Sequence, residues 1–206
     1  MAVAPVIYAT ACFAPTAAAS VWAAIWYPAA DMKNTKKLTL CGIIAALATV
    51  VMMCGYFPYL TYAIPAVAGL LMIVPLIEAG TAWAFGTYAV AAVLSLLFGE
   101  TETKVLFVII LGYYPILKAV IEKLRKPLLE WVLKLIAFNV AAVASYFVMS
   151  LVFSISFDDF GVLGQYGAYI FLALCNVVFV VYDIDISRVA SYYIFALHDK
   201  VKKILK

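Results

Sequence analysis

The chain has 206 residues, 68% hydrophobic and 12% charged, with a mean hydropathy of +1.10. Soluble domains are nearer one-half apolar and one-quarter charged, so this composition excludes an ordinary water-soluble globule: there is too little polar surface to coat one. The formal net charge is +3, but the basic residues are clustered, so their positions carry more information than their sum.

Residues 1–31 contain no Lys or Arg. A secretory signal opens on positive charge, which excludes that reading. Pro5, Pro15 and Pro28 punctuate the stretch. Two readings stand: a seventh, apolar span, or sequence upstream of a true start at Met32. From Met32 the chain opens on a short basic head, MKNTKKLTL.

A helix crosses a bilayer with about 20 mostly apolar residues. Six such runs follow, at 38–57, 61–77, 81–98, 105–121, 131–153 and 166–186. The first pairs small residues four apart, Gly42 with Ala46 and Ala45 with Thr49, which lets helices approach closely. Pro65 and Pro75 mark the second as kinked, and Gly112 and Pro115 lie inside the fourth. The fold class is an all-α polytopic bundle of six transmembrane helices. Its divisions are an extension at 1–31, the bundle at 32–187 and a basic tail at 188–206.

All but one of the 14 Lys and Arg fall in the segments that an even span count puts on one side: Lys33 to Lys37, Lys118 to Lys134, and Arg188 to Lys206. Lys104 stands alone on the other side, with Glu100, Glu102, Asp158 and Asp159. The positive-inside rule then puts both ends of the bundle in the cytoplasm of a multi-pass cell-membrane protein. Topology accounts for the basic charge without nucleic acid. The basic, partly amphipathic tail suits anionic lipid.

The connection Gly112 to Asn139 interleaves charge with Ile, Leu and Val. Lys118 with Glu122, and Glu130 with Lys134, are four apart and can pair along a helix face. Lys118 and Lys134 can also snorkel from the membrane edge. Pro127 divides the run into two helices. It reads either as an ordinary basic loop or as a partner-docking surface that includes Lys118 and Glu122. Asn176, in the middle of the sixth run, faces the interior, either for a packing hydrogen bond or for a ligand. Aromatics on the outer side, Tyr146, Tyr166 and Tyr169 among them, suit an interfacial belt or a shallow pocket. Cys12, Cys41, Cys54 and Cys175 lie in apolar stretches and read as small hydrophobes within the bundle. There is no GxSxG, HExxH or Walker motif, and His198 is the single histidine. No catalytic residue, metal set or cofactor is therefore assigned, and any ATP hydrolysis falls to a partner.

The basic head, the Ala-rich KKLTLCGIIAALATV run and the GYYPILKAVIEKLRK…LEWVLKLIAFN segment resemble the substrate-binding membrane subunits (S components) of energy-coupling-factor vitamin transporters. The resemblance covers Met32 to Ile186. It implies six helices, capture of a micronutrient from outside, a transmembrane coupling protein and two cytoplasmic ATPases. It also implies that Gly42, Ala45, Ala46 and Thr49 contact the coupling protein, although Gly42 and Thr49 stand where that family's motif has alanine. By position in the outer halves of the later helices, it points to Tyr146, Ser150, Tyr166, Tyr169 and Asn176 as ligand-binding. The alternative is a membrane scaffold or assembly factor acting through its basic segments.

Overall fold

The computed structural model describes residues 33–57, 60–124, 126–153, 167–198 and 201. The expectations for residues 1–31, for Tyr166 and for the Tyr169 side chain lie outside what is described. Among the described residues every regular element is helical: α1 (Asn34–Met53), α2 (Ala63–Leu71), α3 (Ile73–Glu78), α4 (Thr81–Phe98), α5 (Thr101–Leu106), α6 (Tyr114–Ile121), α7 (Pro127–Phe153) and α8 (Gly167–Ala196). Among the described residues, four stretches are long and apolar enough to cross a membrane: Asn34–Tyr56, Thr81–Phe98, Thr101–Leu124 and Pro127–Leu151. Ala63–Glu78 is a shorter apolar stretch. α8 runs for 30 residues.

Burial is arranged as lipid demands. Leu151 is 87% exposed and Leu97 71%, whereas Lys118 and Glu78 are fully buried. Oily side chains face out and charge is kept inside, the reverse of a soluble surface. Cys41 is buried, but Cys54 is exposed, against the expectation that the cysteines sit within the bundle.

The helix breaks follow the prolines. Pro75 has no N–H to give Leu71. The chain turns at Met72, whose N–H donates to the Gly69 carbonyl at 3.0 Å. The α3–α4 turn is tight because Gly80 takes φ 95°, a left-handed value that suits glycine. Between α5 and α6 a π-helical turn spans Phe107–Leu111, and the Gly112 N–H reaches back five residues to Phe107 O at 2.8 Å. Pro115 then leaves Leu111 O without its helical donor. Two tyrosines from other helices serve this irregular stretch: Tyr88 OH donates to Val108 O at 2.6 Å and Tyr182 OH donates to Leu111 O at 3.2 Å. Neighbouring helices must supply such donors, since lipid has none.

Helix contacts define two ends. α1 and α4 run parallel, with Cys41 Sγ on Trp83 O and Tyr56 OH on Phe98 O, both 42 residues apart. Glu78, just before α4, touches His198, just after α8. The starts of α1 and α4, the α6–α7 connection and the end of α8 therefore share one end. At the other end, Tyr62 OH donates to Glu102 and Glu100 caps α5.

Gly69 is where α2 meets the broken helix. A Cβ there would lie 2.6 Å from Leu111 O and against the Tyr182 hydroxyl. Gly69→Ala is expected to destabilise the bundle by about 1–3 kcal/mol through this overlap. Gly42→Ala, where a Cβ meets nothing within 4 Å, should leave stability unchanged or raise it by up to about 1 kcal/mol. Thermal unfolding of both variants in detergent checks the contrast.

Candidate functional site: a buried charge cluster between three helices

Asp183, in the second half of α8, is 4% exposed. Tyr114 OH donates to its Oδ1 at 2.5 Å, and Lys118 Nζ lies 2.7 Å from the same oxygen. Lys118 Nζ also donates to the Asp183 carbonyl at 2.5 Å and to Ser187 Oγ at 2.8 Å. Lys134, from α7, puts its Nζ 2.6 Å from Glu122 Oε1 and 3.4 Å from Asp183 Oδ1. Lys118 completes the ring at 3.7 Å from Glu122 Oε1. Two ammonium groups and two carboxylates thus balance formally, a phenol and a hydroxyl add hydrogen bonds, and Glu122 Oε2 is buried without a hydrogen-bond partner. In a low-dielectric interior such groups survive only as a compensated set.

The helices place these groups for local reasons. Pro115 in the first turn of α6 starts a fresh helix, whose spacing puts Tyr114 and Lys118 on one face, four residues apart. Pro127 starts α7, and two turns later Lys134 comes level with Glu122. α7 and α8 are antiparallel and joined at three successive levels: Lys134 to Asp183, Phe138 stacked on Phe179 at 4.3 Å, and Asn139 to Asn176. The two asparagines exchange amide hydrogen bonds at 2.9 and 3.1 Å, and each amide also donates to the carbonyl four residues back on its own helix.

This changes several expectations. The Lys118–Glu122 pair forms, but neither Lys118 nor Lys134 snorkels to water: they are 0% and 4% exposed. Lys134 turns to Glu122 and Asp183 of other segments. Lys118 and Glu122 therefore point inward, away from any docking face. The two small-residue pairs of α1 separate: Ala45 and Thr49 are buried in the core, with Thr49 Oγ1 donating to Ala45 O at 2.9 Å, whereas Gly42 and Ala46 face outward. Tyr146 is 48% exposed, with its ring edge-on to Phe147, and Ser150 is exposed. Asn176 faces inward and makes the packing hydrogen bonds one reading gave it.

Tyr114 and Ser187 escaped sequence reasoning, and Asp183 was assigned no role. The usable signal was a carboxylate within one apolar helix and lysines at the inner ends of two others. Among the described residues no group of three metal-ligating side chains gathers. Compared with known protein families, curated proteins and solved structures, the chain matches none.

Removing one partner from a compensated buried set leaves an unpaired charge. Lys118→Met is expected to destabilise the bundle by about 3–5 kcal/mol. The double variant Lys118→Met/Asp183→Asn, which removes a charge of each sign, should recover at least half of that loss. SDS-induced unfolding in mixed micelles measures both, and a double variant no better than the single would rule out charge balance as the cause.

Proposed function

We propose that this membrane-embedded helical protein is a six-span subunit of a multi-component uptake system, with both ends of its bundle in the cytoplasm. It captures a small molecule on the outer side and has no ATPase or other enzymatic activity of its own. A transmembrane coupling protein and cytoplasmic ATPases supply the energy, as in the S components that the sequence resembles.

The observation that supports this reading is where the α7–α8 cross-links lie. Among the described residues they fall at 134–139 on α7 and 176–183 on α8, at the end shared with the basic segments. Positive-inside topology makes that end cytoplasmic. Continuing the antiparallel register, Tyr146 comes level with residue 170. Tyr146 and Ser150, two of the residues named for ligand capture, follow the last cross-link along α7, whereas Asn176 is part of it. A hairpin fixed at its inner end suits entry from the opposite side. The outward Gly42 and Ala46 offer α1 for close approach by a coupling helix, and the basic rim of the inner end meets anionic lipid.

A scaffold is the second reading. It is favoured by the closed Asn139–Asn176 exchange, which leaves neither amide hydrogen free for a ligand.

Native mass spectrometry of gently solubilised protein distinguishes the two. The uptake reading expects a retained small molecule and copurifying ATPases, with the molecule's occupancy falling at least tenfold in Tyr146→Ala/Ser150→Ala. Folded protein that retains neither refutes it.

A further inference from the structure

The buried apolar side chains form two cores, and the chain passes between them at irregular backbone. One core gathers Ala48 of α1, Ala68 of α2, Ala91 of α4 and Phe107 at the start of the π turn. The other gathers Leu76 of α3, Ile116 of α6, Phe138 of α7 and Ile186 of α8, and Ala84 at the inner end of α4 reaches into it. Met72 and Ile73 are neighbours in sequence yet belong to different cores. Tyr88 packs against both.

The side-chain hydrogen bonds follow the same division. Cys41 and Tyr56 tie α1 to α4, and Tyr62 and Thr103 tie the start of α2 to α5. In the second group the charged ring ties α6, α7 and α8, and the asparagine exchange ties α7 to α8. Glu78 of α3 accepts from Tyr193 OH of α8 at 3.0 Å. Two units result: α1, α2, α4 and α5, and α3, α6, α7 and α8. They meet along α1–α3, α2–α8 and α5–α7. Among the described residues the chain changes unit at the Met72 turn, at Gly80 with its φ of 95°, and in the π turn. α1, α4, α7 and α8 are unbroken and each belongs to one unit. The two apolar segments that change unit, Ala63–Glu78 and Thr101–Leu124, are the two that break.

We propose that the two units turn on one another as rigid bodies, with the three irregular connections as hinges and the Tyr182–Leu111 contact as the latch. A regular helix resists bending through its ladder of hydrogen bonds, and a break concentrates the bend at a few residues. Packed cores shift as wholes and do not deform continuously. The two breaks lie side by side, since a Cβ on Gly69 would meet Leu111 O and the Tyr182 hydroxyl. Both segments can therefore bend together, and neither splints the other. Tyr182, from the second unit, donates to Leu111 O at 3.2 Å in the π turn that the first unit begins. The turn moves the outer end of α7 relative to that of α4. It is a property of the bundle and does not depend on a ligand.

The test places pairs of nitroxide labels on full-length protein in lipid nanodiscs, attached to an encoded ketone amino acid so that the native cysteines stay. Leu97 with Leu151 spans the seam at the outer ends of α4 and α7. Leu38 with Leu97 lies within the first unit, and Leu128 with Leu174 within the second; all are exposed. Pulsed dipolar EPR reads the distances. Tyr182→Phe removes the latch and Gly69→Ala wedges it. Each is expected to raise the share of a second Leu97–Leu151 distance over wild type, by about fivefold in the ratio for one net hydrogen bond lost. Both within-unit distances should stay as they are. If Gly69→Ala does not fold, Tyr182→Phe carries the test. A cross-seam distance that neither variant alters, or within-unit distances that change alongside it, overturns the proposal.

Discussion

The polar groups taken into this bundle find their partners inside it, because lipid supplies none; among the described residues the side-chain exceptions are one oxygen each of Glu78 and Glu122. The Lys118–Asp183–Lys134–Glu122 ring is the strictest case. It joins three helices that the chain builds separately, and each charge is tolerable only because the other three are present. Such a ring adds less to stability than its short distances suggest, since desolvation offsets much of the attraction. Its larger effect is on specificity. α6, α7 and α8 can rotate or slide only by uncovering a charge, so one register is selected. The asparagine exchange one level further along the bundle does the same with neutral groups, at smaller energy and with equal directionality.

The same demand explains the tyrosines. Tyr88 and Tyr182 each bring an apolar ring to the core and one donor to a carbonyl in the broken stretch between α5 and α6. Tyr114 brings its donor to Asp183. An aromatic ring with a polar tip can satisfy a buried acceptor without adding a charge. The three rings belong to the same packed region as Phe107, Phe138 and Phe179, so satisfying the backbone and filling the core are here one act.

What sequence reasoning reached was whatever depends on one helix at a time. Apolar runs marked the helical stretches, and Pro75, Pro115 and Pro127 marked where helices break or begin. These are local steric facts, readable from the chain alone. It missed the partnerships. Spacing four apart foresaw Lys118 with Glu122, and also assigned Lys134 to Glu130 on its own helix. Across the bundle, however, Glu122 and Asp183 sit closer to the Lys134 ammonium than sequence distance suggests. Glu78 is fully enclosed, because the end of α8 folds over it from more than a hundred residues away. Tyr88 and Tyr182 gave no warning, since the need they meet arises in another helix. The outward half of the small-residue pattern on α1 was likewise invisible, because a repeat of four marks a face without saying what the face meets.

The π turn at Phe107–Leu111 can also be viewed as one residue too many for an α-helix. Each residue advances a helix by about 100° around its axis. Deleting a single residue there would restore the regular ladder and repair Phe107 to Gly112, yet it would swing everything that follows by that angle. Tyr114 and Lys118 would leave the face shared with Asp183 and turn toward lipid or another helix. The irregular turn thus acts as a rotary offset between two halves of one membrane segment. The upstream half packs against α2, α4 and α7, and the downstream half carries Tyr114 and Lys118 to α8. A chain shorter by one residue at this point would make a better helix and a worse protein.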